Sequence, residues 1–194
     1  RPEIIIEGSL DGKSWHPYAC KYKPTNPKQT PQFAGPHMPR IDWQMWFEGL
    51  NYERFAAHPF SRMLYHKFLT MIALGKSIED FKDLRKVLGP QEYQNLVQSL
   101  PEIQQRVLQN YNSLFNAFAS RSLWFGKLLA SIFEYRPEIM KQLGQKLEDL
   151  PHKPNHLRIS LAYYSFADQQ INIDQKDIWK VTPIKEASFV ISNQ

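Results

Sequence analysis

The chain has 194 residues, 42% hydrophobic and 13% aromatic, enough to pack one domain, or a domain with a subdomain, around a core. Its net charge is +5, but the basic residues (Lys21, Lys23, Lys28, Arg40, Lys82, Arg85, Lys86, Lys180, Lys185) are scattered, without the dense stripe of a nucleic-acid binder, so no nucleic-acid partner is expected. The one cysteine, Cys20, excludes an internal disulfide and a cysteine zinc site, no apolar run reaches the roughly 18 residues of a membrane span, and no signal-peptide pattern opens the chain.

The first predicted element is a short strand over Glu3–Glu7, apolar at Ile4, Ile5 and Ile6. Ser9-Leu10-Asp11-Gly12 reads as a turn, with Asp accepting local hydrogen bonds and Gly supplying positive φ. Trp15–Tyr22 returns as a second strand, alternating Tyr18, Cys20 and Tyr22 onto one face. Pro31, Pro36 and Pro39 then hold Pro31–Arg40 extended. Asp42 is placed to cap a helix. Trp43, Trp46, Phe47 and Leu50 follow at i, i+3, i+4 and i+7, one helical face. That aromatic face is expected to pack inward and anchor the domain.

From Pro59 the period is helical through Phe60, Met63, Leu64, Phe68, Met71 and Ile72. Ile78–Val87 is predicted as a helix stopped by Gly89-Pro90, and Pro90 starts the next, Gln91–Leu100. Pro101 opens another, striped by Ile103, Val107, Tyr111, Leu114, Phe115 and Phe118. Leu123–Glu134 and Pro137–Leu150 complete the run. Past Pro151 and Pro154 the period becomes two. Leu157, Ile159, Leu161 and Tyr163 share a face, and Tyr164 and Phe166 continue in the other phase, which predicts a bulge or a strand covered on both sides. Ile171–Val181 and Ser188–Ile191 are weaker strand candidates. An isolated hairpin is marginal, so the N- and C-terminal strands are expected to join in one antiparallel sheet around a central run of helices, an α+β class.

Catalytic patterns are missing: no GxSxG, no glycine-rich phosphate loop, no HExxH. No enzyme and no cofactor are expected. His152 and His156 have helical ligand spacing, but Pro151 and Pro154 break any helix there, so no metal is expected. Cys20 alternates as a buried strand residue would. Arg40 and Asp42 suit local hydrogen bonds better than a ligand carboxylate. His37, between prolines, suits packing better than pH sensing. Trp43 and Trp46 read as core in preference to a sugar-stacking platform.

PHMPRIDWQMWF resembles the PHxPRxDWQMWF signature of the lipase maturation factor family, in its soluble C-terminal domain. EIIIEGSLDGKSWHPYACKYKP is similar to that family's EIxxEGSxDGxxWxxYxFxYKPG. SLWFGKLLASIFEYRPEIMKQL, PNHLRISLAYYSFAD and DIWK continue the likeness. The departures are Ile178-Trp179 where the family has two Trp, and Leu161-Ala162-Tyr163-Tyr164-Ser165-Phe166 where it has LYxYxF. The resemblance covers about 1–50 and 121–180. It implies a family-like domain over 1–50 and 121–194, interrupted by a helical insertion over 51–120. It further implies a non-enzymatic maturation factor with a client protein, a lipase in the family, and membrane spans ahead of this segment. The domain would lie on the non-cytoplasmic side: the endoplasmic reticulum lumen in a eukaryote, the periplasm or exterior in a bacterium. The signature residues His37, Arg40, Asp42, Trp43, Gln44, Trp46 and Phe47 are its candidate partner-binding set. A second likeness, of EGSLDGKSW to discoidin-like β-sandwich domains, implies an alternative, a module for glycans or lipid head groups.

Overall fold

A computed structural model describes residues 1–20, 22–24, 26–30, 32–33, 35, 39–98, 101–143, 153–167 and 177–193, with the backbone alone at 97 and 101–109. Among the described residues, strands β1 (Pro2–Ser9), β2 (His16–Pro17), β3 (His156–Phe166) and β4 (Trp179–Ser192) flank eight helices in the sequence, α1 (Arg40–Ala56) to α8 (Pro137–Gln142). The described strands form one antiparallel sheet in the order β2-β1-β3-β4. The α+β class and the joining of N- and C-terminal strands are therefore as the sequence predicts. A second sheet, which a sandwich requires, is absent among the described residues.

The chain divides into two compact units, Arg1–Ala56 with Ser131–Gln194, and Ala57–Ala130. In the first, one sheet face carries Ile4, Ile6, Leu157, Ile159 and Leu161, all nearly inaccessible. Helix α1 covers it: Tyr52 meets Phe189 edge-on at 6.4 Å, and the Tyr163 hydroxyl donates to Glu53. Tyr163 shares the backbone phase of Leu161 but sits where this cover ends, so it is 40% exposed. The opposite face gathers Ala162, Tyr164 and Trp179 with Ile5, Ile178 and Val181. The predicted phase change is thus a strand buried on both sides, and a bulge adjoins it. Ser160 pairs with Ser188 and Leu161 with Ile184, which leaves Lys185, Glu186 and Ala187 as extra residues of β4.

Three element boundaries need correcting. The return strand expected over Trp15–Tyr22 pairs only at His16–Pro17. Beyond it Tyr18 still bonds Ile6, and Tyr18 and Cys20 still turn inward, so the alternation was a burial pattern without a ladder. The helix expected over Ile78–Val87 is two, α3 (Ile78–Phe81) and α4 (Leu84–Leu88). Asp83 lies between them in extended conformation and accepts from the Arg85 N–H at 2.9 Å, capping the second. The two late strand candidates are one 14-residue strand, β4, except that Ile171–Lys176 lie outside the described residues.

The second unit contains α2 (Pro59–Ala73), α3, α4, α5 (Pro90–Gln98), α6 (Pro101–Arg121) and the greater part of α7 (Leu123–Phe133). Its core is aromatic. Phe68 meets Phe81 at 5.0 Å and Phe118 at 5.5 Å. Tyr111 donates its hydroxyl to the Phe81 carbonyl. Gly126 admits Ile72 so closely that a Cβ would stand 2.8 Å from it. No described helix is long and apolar enough to cross a membrane.

Candidate functional site

The signature segment builds helix α1 and the junction beneath it. The Trp43 N–H bonds the Pro39 carbonyl at 3.1 Å, so the helix begins at Arg40 and not after Asp42. Asp42 therefore lies in the first turn, where a carboxylate suits the helix dipole. It is 2% exposed, and it accepts the backbone N–H of Tyr22 at 3.0 Å. Its role is to bond an adjoining loop; the expected capping role is corrected.

The larger correction concerns which face is buried. The inward residues of α1 are Asp42, Met45, Glu48, Gly49, Tyr52 and Phe55. Trp43 is 49% and Phe47 44% exposed, and Trp46 is partly buried between them. The expected inward aromatic anchor points outward. The reason is steric: α1 approaches β1 through Gly49, where even a Cβ would meet the Pro2 carbonyl oxygen at 2.8 Å. A stripe of three large rings cannot come that near. Instead Trp43, Trp46 and Phe47 pack on one another, with ring centres 5.2–5.9 Å apart. Arg40 is exposed at the start of this surface and Gln44 is half-buried beside it. His37 lies outside the described residues. The structure thus brings Trp43, Trp46 and Phe47 together, assigns Asp42 to the underside, and leaves Arg40 at the rim.

Charge is buried at the start of β1, on the sheet face away from α1. Glu3 is fully inaccessible and Lys23 is 2% exposed. Lys23 Nζ stands 3.3 Å from the Glu3 carboxylate and donates to the Ile4 carbonyl at 2.5 Å. Arg1 meets the same carboxylate at 2.6 Å. Removing Glu3 would leave the buried Lys23 ammonium without this carboxylate, which is the destabilising case. Cys20 lies in the same region. Burial pushes its thiol up to about 11, with the Lys23 ammonium pulling the other way. A thiol so held is not a nucleophile at neutral pH.

Two features went unread in the sequence. An open cleft of about 390 Å³ is lined by Arg1, Tyr22, Gln29, Tyr164, Phe166 and Trp179 among others. Phe166 stacks on Trp179 at 4.6 Å, and the Trp179 indole donates to the Gln29 carbonyl at 2.8 Å. Among the cleft's described lining residues the charged side chain, Arg1, is paired with Glu3 at 2.6 Å. The second is the outer edge of β4, which no described strand covers. Isolated aromatics and a short polar loop gave no periodic signal for either.

The Ser9–Gly12 turn uses its polar groups locally, as the sequence predicts, and Gly12 has positive φ. Asp11 Oδ1 accepts from the N–H groups of Lys13 and Ser14, both at 2.8 Å, and from Ser9 Oγ at 3.0 Å. These bonds hold the Asp11 carboxyl well below the usual carboxylate range. Phe33 is 92% exposed. His156 bonds Ser192 Oγ at 2.8 Å, and His152 lies outside the described residues. Among the described residues no three His, Cys, Asp or Glu side chains come together as metal ligands.

Known proteins are similar to part of this chain. Residues 1–73 match the family model described as the lipase maturation factor C-terminal domain, from β1 through α2. Lipase maturation factor 2 of Mus musculus is 52% identical over 50 residues, 26% of this chain and 7% of the relative. The Gallus gallus protein of the same name is 41% identical over 76 residues, 39% of this chain and 10% of its own. That of Homo sapiens is 50% identical over 50 residues, again 26% and 7%. The chain spans a tenth or less of the length of these relatives. No solved structure matches it.

Proposed function

We propose that this chain, which carries the lipase maturation factor C-terminal domain over residues 1–73, holds a client protein during its maturation and performs no chemistry itself. The carrying observation is the outward face of α1. Trp43, Trp46 and Phe47 are the most distinctive residues of the signature, yet much of their surface faces solvent. A cluster of rings held on a rigid helix, at low entropic cost, suits an apolar client segment. Asp42, Gly49 and Tyr52 fix that helix to the sheet from below.

The relatives' name points to a lipase as client. Family membership supports membrane association through spans outside this segment, with the domain on the non-cytoplasmic side, in the endoplasmic reticulum lumen if the source is eukaryotic. The helical stretch 51–120 is read as an insertion in the family domain of 1–50 and 121–194, although the family match runs on into its first part, residues 51–73. The compact unit nearest it is Ala57–Ala130. Expressed alone, residues 57–130 should unfold cooperatively as a helical protein; a molten product would tie this stretch to the core.

The functional test is the double variant Trp43→Ser/Phe47→Ser in the full-length protein, expressed with a secreted lipase. Lipase activity in the medium should fall severalfold while the melting temperature of the domain is unchanged. Unchanged lipase output would refute the reading.

A further inference from the structure

Strand β4 lies at the edge of the sheet among the described residues, and its two halves are edged differently. Arg1 and Tyr164 exchange both backbone bonds across β1 and β3, at 2.6 and 2.9 Å. By the alternation of an antiparallel ladder, even-numbered residues of β3 face β1 and odd-numbered ones face β4. Leu157 and Ile159 therefore bond Ile191 and Phe189, their partners in the register. Asn193 N–H on the Asn155 carbonyl, at 2.9 Å, continues the same phase. Ser188, Val190 and Ser192 consequently aim their N–H and C=O groups out of the sheet. No described backbone group pairs with them there.

The first half is closed. The Pro27 carbonyl takes the Trp179 N–H at 3.0 Å, Pro183 has no N–H to offer, and the bulge at Lys185–Ala187 breaks the line. The second half, SFVIS, has neither proline nor charge. It offers five residues, about 16 Å of edge.

We propose that the Ser188–Ser192 edge accepts an extended segment of an incompletely folded client as an added strand. This rests on the client-holding reading above and names the conformation in which the client is held. Only an extended backbone matches three outward donor–acceptor pairs at this spacing. Val190, 49% exposed, favours an uncharged, β-branched or aromatic neighbour on the added strand. Arg158 opposite it is already engaged, by Glu7 at 2.6 and 2.8 Å and by the Trp15 ring at 4.5 Å. A second copy is the less suited occupant, since each copy brings a net charge of +5.

The test uses a fluorescein-labelled peptide of alternating Thr and Val with a Lys at each end, followed by anisotropy and by amide hydrogen exchange. Binding should slow exchange at Ser188, Val190 and Ser192. Val190→Pro removes one outward N–H and no bond to β3, and should weaken binding about tenfold or more. Val190→Lys keeps the N–H and places charge on the edge; it should weaken binding similarly and carries the test if the proline variant does not fold. Exchange at these three amides reads the edge alone, and lipase output of the Trp43→Ser/Phe47→Ser variant reads the α1 face, so that failure of one and failure of the other are told apart. Three results would overturn the proposal: no protection of these amides by peptide, binding by both Val190 variants as tight as that of the parent, or protection without peptide that grows with protein concentration, the mark of self-pairing.

Discussion

Gly49 of α1 rests on the backbone of Pro2, so close that a Cβ would stand 2.8 Å from its carbonyl oxygen. The obstacle is main chain in a paired strand, which cannot move aside as a flexible side chain could. Gly49→Ala gains about 1 kcal/mol of helix propensity but forces α1 away from β1, an overpacking cost of roughly 1–3 kcal/mol. A net loss of about 1 kcal/mol is expected in urea unfolding. A gain in stability would show that α1 is not seated on β1 at this point.

The two stripes of α1 should respond to truncation in opposite ways. Tyr52 is fully inaccessible, whereas Trp43 keeps half its surface in water. Tyr52→Ala should destabilise by roughly 3–5 kcal/mol. Trp43→Ala should change stability by less than about 1 kcal/mol, like other exposed positions. Melting temperatures of the two single variants compare them directly, and equal losses would restore the inward aromatic anchor.

This contrast shows what the sequence could and could not reveal. Period and punctuation located the strands and nearly every helix, because Pro59, Pro90, Pro101 and Pro137 open helices at those very positions. The phase change at Tyr164 foretold burial on both faces of β3. Hydrophobicity alone misassigned α1. Two stripes satisfy helical spacing there, and bulk alone favours the outer one. What decides between them is distance: the inner stripe needs Gly49 for close approach and tolerates Asp42 and Glu48 because the junction below is polar. The pairing of Glu3 with Lys23, and the outward phase of Ser188, Val190 and Ser192, depend on contacts between residues far apart in sequence, which periodicity does not carry.

Cys20 should be chemically silent until the fold opens. Burial pushes its thiol from an ordinary 9 up to about 11. At pH 8 the thiolate fraction is then about a hundredfold below that of the unfolded chain. Iodoacetamide labelling followed by mass spectrometry should be at least that much slower in buffer than in urea. The linkage has a definite sign. An acid raised on folding contributes stability fully below its unfolded value, and that contribution declines as pH rises from about 9 toward 11. Rapid labelling of the native chain would place Cys20 at the surface.

His66 in α2 carries the opposite dependence, on the acid side. Burial, with the Arg62 charge adding to it, pushes its imidazole from 6.5 down to about 4. The folded helical unit therefore keeps His66 neutral where the unfolded chain would protonate it. For a base lowered on folding, the unfolded state binds the extra proton below 6.5. Its contribution is complete above that value and is lost as pH falls from 6.5 toward 4. The full shift corresponds to roughly 3 kcal/mol, and the ring keeps partial access to solvent, so a loss of about 1–2 kcal/mol is expected. Urea midpoints followed by far-ultraviolet circular dichroism at pH 7 and pH 4.5 measure it. His66→Gln cannot titrate and should flatten this part of the profile, leaving only the slope from carboxylates. A variant that loses as much stability as the parent between these two pH values would show that His66 is not the group responsible.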